Sequence, residues 1–132
     1  KDIRIASVIM RLYTELFEKK NRKNENYIDV AKEYIENNYM LPITVSDIAN
    51  YVNLNDSYLS RVFKQNVGKN LQEYIISVRL SKAKAFLNDG KSVTETTYLC
   101  GFNSQSYFSK AYKKRYNCTP KTQINVKSEN NM

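Results

Sequence analysis

The sequence predicts an all-α protein in which one helical unit is used twice, with a long helix between the copies. Three observations carry this reading. Residues 57–64, SYLSRVFK, return as SYFSKAYK at 106–113, with Ser57/Ser106, Tyr58/Tyr107, Ser60/Ser109 and Lys64/Lys113 identical, and Thr44-Val45-Ser46-Asp47 is echoed by Ser92-Val93-Thr94-Glu95. A repeat this long marks a duplicated supersecondary unit. Three glycines and two prolines in 132 residues leave too few turns for a sheet protein. Finally, the apolar residues recur three and four apart, the period of an amphipathic helix.

Residues 1–20 carry Ile5, Val8, Ile9, Leu12, Tyr13, Leu16 and Phe17 in one such stripe. It needs a partner, either a second copy of the chain, an upstream domain or the helices that follow. The charged run 19–26 separates it from a second helix over 27–38, with Tyr27, Val30, Ala31, Tyr34 and Ile35 on one face. Asn37 and Asn38 end that helix, and Pro42 bars its continuation.

Thr44 then reads as an N-cap with Asp47 three residues on, a short-armed capping box opening a brief helix over 45–52 that turns Ile48, Ala49 and Val52 inward. Asn53-Leu54-Asn55 is a tight turn anchored by Leu54. A helix over 56–66 follows, burying Leu59, Val62 and Phe63 and exposing Ser57, Ser60, Arg61 and Lys64, and Gly68 stops it. Residues 71–88 give the long helix. Ile76, Leu80, Ala83 and Leu87 form one stripe and Leu71, Ile75 and Val78 lie beside it, as suits a helix packed between two units. Ser92 with Glu95 forms a full capping box for a short helix through Cys100. The turn Gly101-Phe102-Asn103 leads into a helix over 104–116 that buries Phe108, Ala111 and Tyr112 and offers Gln105, Ser106, Ser109, Lys110 and Lys113. Asn117 takes the place of Gly68. Residues 125–132 read as a flexible polar tail.

A short capped helix, a three-residue turn and a second helix with a polar, basic outer face form a helix-turn-helix. Charge follows the repeats. The net charge is +8, and residues 56–116 hold eleven Lys and Arg against four Asp and Glu, whereas 26–55 is net acidic. Such a bias is either a solvated basic face or the footprint of a polyanion. Cys100 and Cys118 are the only cysteines and there is no His, so no metal site, redox motif or cofactor is expected; both read as reduced packing residues. No paired carboxylates or Gly-rich phosphate loop support catalysis, so no catalytic residues and no enzyme are expected. No signal peptide and no apolar run of about 18 residues is present, which predicts a cytoplasmic protein without a membrane partner. A chain beginning at Lys1 reads as part of a longer one.

From about Tyr27 to Ile124 the sequence closely resembles the DNA-binding domain of the AraC/XylS family of bacterial transcription regulators. The resemblance rests on SDIANYVNLNDSYLSRVFKQNVGKNLQEYIISVRLSKAKAFL and on GFNSQSYFSKAYKK followed by TP. It implies seven helices, two homeodomain-like helix-turn-helix units and DNA binding by a single chain. It also implies an upstream effector domain absent from this chain, an activator role and contact with RNA polymerase. The chain departs from the family at Thr96 and Thr97, where the first unit keeps Ile48-Ala49, and lacks the closing Tyr-Arg after Pro120, which puts the last helix in doubt.

The domain reading is therefore a linker or dimerisation helix over 1–25 and a tandem domain over 26–124, the latter made of units at about 26–70 and 89–124 joined by 71–88. Ser57, Ser60 and Arg61 of the first unit, and Gln105, Ser106 and Lys110 of the second, face base edges in the major groove of promoter DNA. Arg61 suits guanine and Gln105 adenine. Lys64, Lys113 and Lys114 meet phosphates, which fix position without reading sequence, and the backbone amides near Thr44 and Ser92 also suit phosphate. The competing reading is a helical interaction module that dimerises through residues 1–20 without sequence-specific DNA binding. RNA binding is disfavoured, because the spacing puts most tyrosines at core positions.

Overall fold

The computed structural model describes residues 2–124 as a chain of helices: α1 (Asp2–Asn38), α2 (Val45–Val52), α3 (Asp56–Val67), α4 (Leu71–Asn88), α5 (Val93–Leu99) and α6 (Gln105–Tyr116), followed by a helical segment at 120–124. The expected tail at 125–132 lies outside the described residues. With the closing segment the helices number seven among the described residues, and the last forms without the usual Tyr-Arg. Thr119 Oγ1 accepts from Thr122 N at 3.2 Å and starts it.

The first correction concerns α1. The sequence reading breaks it at the charged run 19–26, whereas the structure carries one helix through 37 residues, roughly 55 Å. That run contains no Gly or Pro, and its Lys, Arg and Glu residues are good helix formers, so nothing in it stops propagation. Only the second half of α1 joins the body, burying Ile28, Ala31 and Ile35, with Tyr27, Val30 and Tyr34 half-covered and Tyr39 buried just beyond its end. In the first half Ile5, Val8, Ile9, Leu12, Tyr13, Leu16 and Phe17 are each 53% to 67% exposed, so this stripe does not fold back on the following helices.

Two cores share α4. Leu71, Ile75 and Val78 enter the first, with α1, α2 and α3; Leu80, Ala83 and Leu87 enter the second, with Cys100, Phe102, Phe108 and Tyr112. The helix thus changes allegiance within two residues, between Val78 and Leu80, which is what apolar positions on two sides require. Cys100 is a buried free thiol and Cys118 a half-buried one, both packing as expected. Burial pushes the Cys100 thiol up to about 12. Ala111, expected in the core, is half-buried.

Caps set the helix boundaries. Thr44 Oγ1 accepts from Asp47 N at 3.1 Å while Thr44 N donates to Asp47 Oδ2 at 2.9 Å, so the short-armed box closes on both sides. At Ser92, expected to form the full box, only the serine arm is made, with Glu95 N donating to Oγ at 3.1 Å. Asn55, Asn70 and Ser104 cap α3, α4 and α6. Gly68 and Asn117 end α3 and α6 in the left-handed conformation, at φ 82° and 60°.

The two units dock at a defined junction. Arg79 Nε donates to Tyr39 O and Arg79 Nη2 to Leu41 O, both at 2.8 Å, tying α4 to the carbonyls beyond the end of α1. Lys82 pairs with Glu36 at 3.1 Å across the same seam. Gly101, at φ 85°, sits so close that a Cβ would stand 2.7 Å from Tyr39 O.

Candidate nucleic-acid interface

The site begins with how α3 and α6 are aimed. At the start of α3, Ser46 Oγ of α2 donates to Asp56 Oδ2 at 2.5 Å; at the start of α6, Thr94 Oγ1 of α5 donates to Gln105 Oε1 at 3.1 Å. These are matching positions of the two copies, so each unit clamps the first residue of its outer helix to the second residue of its supporting helix. From below, Leu59, Val62 and Phe63 hold α3, and Phe108 and Tyr112 hold α6, all buried. Each outer helix is thereby fixed along its length and at its first turn.

Above this packing, Ser57, Arg61 and Lys64 are exposed on α3, and Gln105, Ser106, Lys110, Lys113 and Lys114 on α6. Ser60, expected to be exposed, is half-buried, as is Ser109 at its counterpart position. None of the exposed cations on these two helices forms an ion pair among the described residues; the one such pair, Lys82–Glu36, lies at the junction. A face of cations without carboxylate partners is suited to an external polyanion.

Two sequence expectations change. Gln105 offers less acceptor capacity than a free amide, because Thr94 already occupies one lone pair of Oε1. One lone pair and the NH2 donors remain, enough for the bidentate pairing that reads adenine. At the helix starts near Thr44 and Ser92, Asp47 N and Glu95 N are bonded to their caps, which leaves the amides before them for a phosphate, and Asp47 and Asp56 bring negative charge to the first unit. Most tyrosines sit at core positions as expected: Tyr39 and Tyr112 are buried and Tyr27, Tyr34, Tyr58, Tyr74 and Tyr116 are half-buried against the two cores, whereas Tyr13, Tyr51, Tyr98 and Tyr107 are more than half exposed.

Two residues missed in the sequence bear on the site. Tyr58 reaches back to α1, its hydroxyl donating to Asn24 Oδ1 at 2.9 Å, and the Arg61 guanidinium lies 5.3 Å from the centre of its ring. The ring positions Arg61 through a cation–π contact. The identity of Tyr58 and Tyr107 across the repeat was the available signal; Asn24, in the charged run, gave none. Arg79, counted among the basic residues, is spent on the junction instead, half-buried with its charge disfavoured by burial.

Comparison with known proteins agrees with this geometry. A helix-turn-helix domain family matches residues 48–124. An uncharacterised HTH-type transcriptional regulator in the cgkA 5' region of Pseudoalteromonas carrageenovora is 44% identical over 98 residues, 74% of this chain and 58% of that protein. The xylose operon regulatory protein of Escherichia coli is 34% identical over 100 residues, 75% of this chain and 26% of that protein. The chain therefore spans less than two thirds of the length of these curated relatives. Among solved structures, a transcriptional regulator with an AraC-type DNA-binding domain from Chromobacterium violaceum superposes with a TM-score of 0.74 at 31% identity, covering 78% of this chain and 93% of that one.

Proposed function

We propose, from the premise that this chain belongs to the AraC/XylS family of helix-turn-helix transcription regulators, that it binds promoter DNA sequence-specifically through two recognition helices, α3 and α6. The carrying observation is the duplicated clamp, Ser46–Asp56 and Thr94–Gln105, which aims two exposed polar and basic helix faces from one chain. The major groove admits a helix, and successive segments of it on one face of DNA lie about 34 Å apart. The central helix spans ~27 Å, of the order needed to set that spacing on a single chain. Ser57, Ser60, Arg61, Gln105, Ser106 and Lys110 read bases, while Lys64, Lys113 and Lys114 hold phosphates. The domain acts by binding and carries no catalysis.

Selection of bound duplexes from a random library, at two salt concentrations and followed by footprinting, tests the reading. Two protected major-groove segments one helical turn apart are expected. A footprint confined to one half-turn, or enrichment of no sequence, would sink it.

The exposed stripe on α1 favours a second role. It presents Ile5, Ile9, Leu12 and Leu16 at the four-three-four spacing of a short coiled-coil seam, so residues 1–20 pair two copies of the chain. Removing residues 1–20 is expected to abolish self-association in sedimentation while DNA binding persists. The remaining elements of the reading rest on the family: an upstream effector-binding domain, an activator role with contact to RNA polymerase, and action in the cytoplasm. In keeping with the last, none of the described helices is long and apolar enough to cross a membrane.

A further inference from the structure

Between the two units, an open groove of about 680 Å³ is lined by Lys69 of the first unit, by Glu73, Ile76, Ser77 and Leu80 of α4, and by Tyr107, Lys110, Ala111, Lys114 and Arg115 of α6. Four cations thus border one groove against one carboxylate. That carboxylate offsets one of the four charges, so a net positive charge remains. Glu73 Oε1 is engaged by Asn70 Nδ2 at 3.0 Å in capping α4, and none of the four cations pairs with an acidic group among the described residues. Like charges gathered without partners repel one another, and the arrangement is relieved only when an anion arrives.

We infer that this groove seats the phosphodiester backbone of the DNA strand that passes between the two recognition helices, with Lys69 and Arg115 as phosphate contacts beyond the two reading faces. This rests on the DNA-binding reading and deepens it. Position argues for it, since Lys110 and Lys114 belong both to this groove and to the exposed face of α6, so a duplex held by α6 brings its backbone past the same side chains. Lys69, just beyond Gly68 at the end of α3, approaches from the other unit, so the groove is complete only when both units are docked. Chemistry argues for it too. The cations suit phosphate oxygens, and a floor of Ile76, Leu80, Ala111 and the half-exposed Tyr107 ring suits the C–H faces of the intervening sugars, while offering few groups to read a base edge.

The experiment compares the full chain with Lys69→Gln, Arg115→Gln and the double variant, on a selected duplex and on a random duplex, from 50 to 200 mM salt. Both residues are exposed, and unchanged thermal unfolding confirms that the fold is intact. Each substitution is expected to make the dependence of log affinity on log salt shallower by about one unit, equally on both duplexes, with base preference unchanged. Ethylation of phosphates between the two protected segments is expected to block the parent chain and to lose its effect on the double variant. If the parent chain binds specifically and the variants keep its salt slope and ethylation pattern, the inference is wrong while the DNA reading stands. Failure of the parent chain to bind any duplex would instead remove the DNA reading itself. Occupation of the groove by an anionic amphiphile such as an anilinonaphthalene sulfonate, with DNA binding unaffected, also overturns the inference.

Discussion

Tyr58 and Asn24, 34 residues apart in the chain, are joined by a 2.9 Å hydrogen bond that connects the outer helix of the first unit to the helix preceding it. Because the same Tyr58 ring lies against Arg61, any shift of α1 near Asn24 reaches a side chain proposed to read bases through one intermediary. Tyr58→Phe keeps the ring and deletes the bond. A hydrogen bond of this kind contributes about 0.5–1.5 kcal/mol. The expected outcome is faster amide exchange around residues 20–26 with only a small loss of DNA affinity. Tyr58→Ala, which also removes the cation–π contact, is expected to relax the base preference at the position that Arg61 is proposed to read.

The division between readers and positioners is tested by Arg61 and Lys113. Arg61→Ala should cost about 1–3 kcal/mol on the selected site and relax specificity at one or two bases. Lys113→Ala should weaken all sequences about equally and flatten the salt dependence by about one unit. Identical profiles for the two variants would refute the division.

Gly101 and Gly68 both have positive φ, yet replacing them by Ala should have unequal effects. At Gly68 (φ 82°) a Cβ meets nothing within 4 Å, so the cost is the left-handed strain alone, about 1–2 kcal/mol. At Gly101 the same strain combines with a Cβ position 2.7 Å from Tyr39 O and 3.1 Å from Met40 C, both backbone atoms. Gly101→Ala is therefore expected to destabilise the protein more than Gly68→Ala in urea unfolding and to loosen the docking of the second unit.

Arg79 provides the complementary test, a cation that should not register as a DNA contact. Its Nε bond at 2.8 Å gives Tyr39 O its donor, and its Nη2 bond at 2.8 Å adds a second donor to Leu41 O, which also accepts from Ile43 N. A lysine cannot reproduce that fork. Arg79→Lys conserves charge and is expected to cost about 1–3 kcal/mol of stability while leaving the salt slope of DNA binding unchanged.

The helices of the tandem domain were legible in the sequence because their signals are local: caps at Thr44 and Ser92, the stop at Gly68, and the two-sided pattern of α4. The exposed faces of α3 and α6 were legible for the same reason, together with the repeat. What could not be seen depends on contacts distant in the chain. Arg79 looked like one more basic residue until Tyr39 and Leu41 lay beside it, and Asn24 looked like part of a linker until Tyr58 met it. The break expected in α1 failed for a different reason. A change from apolar to charged composition alters which face is buried, yet it leaves helix propensity intact, and only Gly, Pro or a competing cap would have ended the helix.

The second unit carries a defect that the first does not. Ile48 and Ala49 are fully buried in α2, and their counterparts in α5, Thr96 and Thr97, are equally buried. Thr97 satisfies its hydroxyl by donating to Val93 O at 2.7 Å, but Thr96 Oγ1 has no hydrogen-bond partner. Sealing a hydroxyl from water without a bond costs about 1–3 kcal/mol, and valine has nearly the same shape without that cost. Thr96→Val is therefore expected to raise stability by about 1–2 kcal/mol, read as a higher urea midpoint with an unchanged slope. Thr97→Val should give no comparable gain, because it removes a hydrogen bond already made. If the second unit is the weaker of the two, amide exchange in α5 and α6 should slow in the Thr96→Val variant while exchange in α2 and α3 stays as it was. Uniform slowing across both units would mean that the fold opens as one body and that the unsatisfied hydroxyl weakens the whole domain.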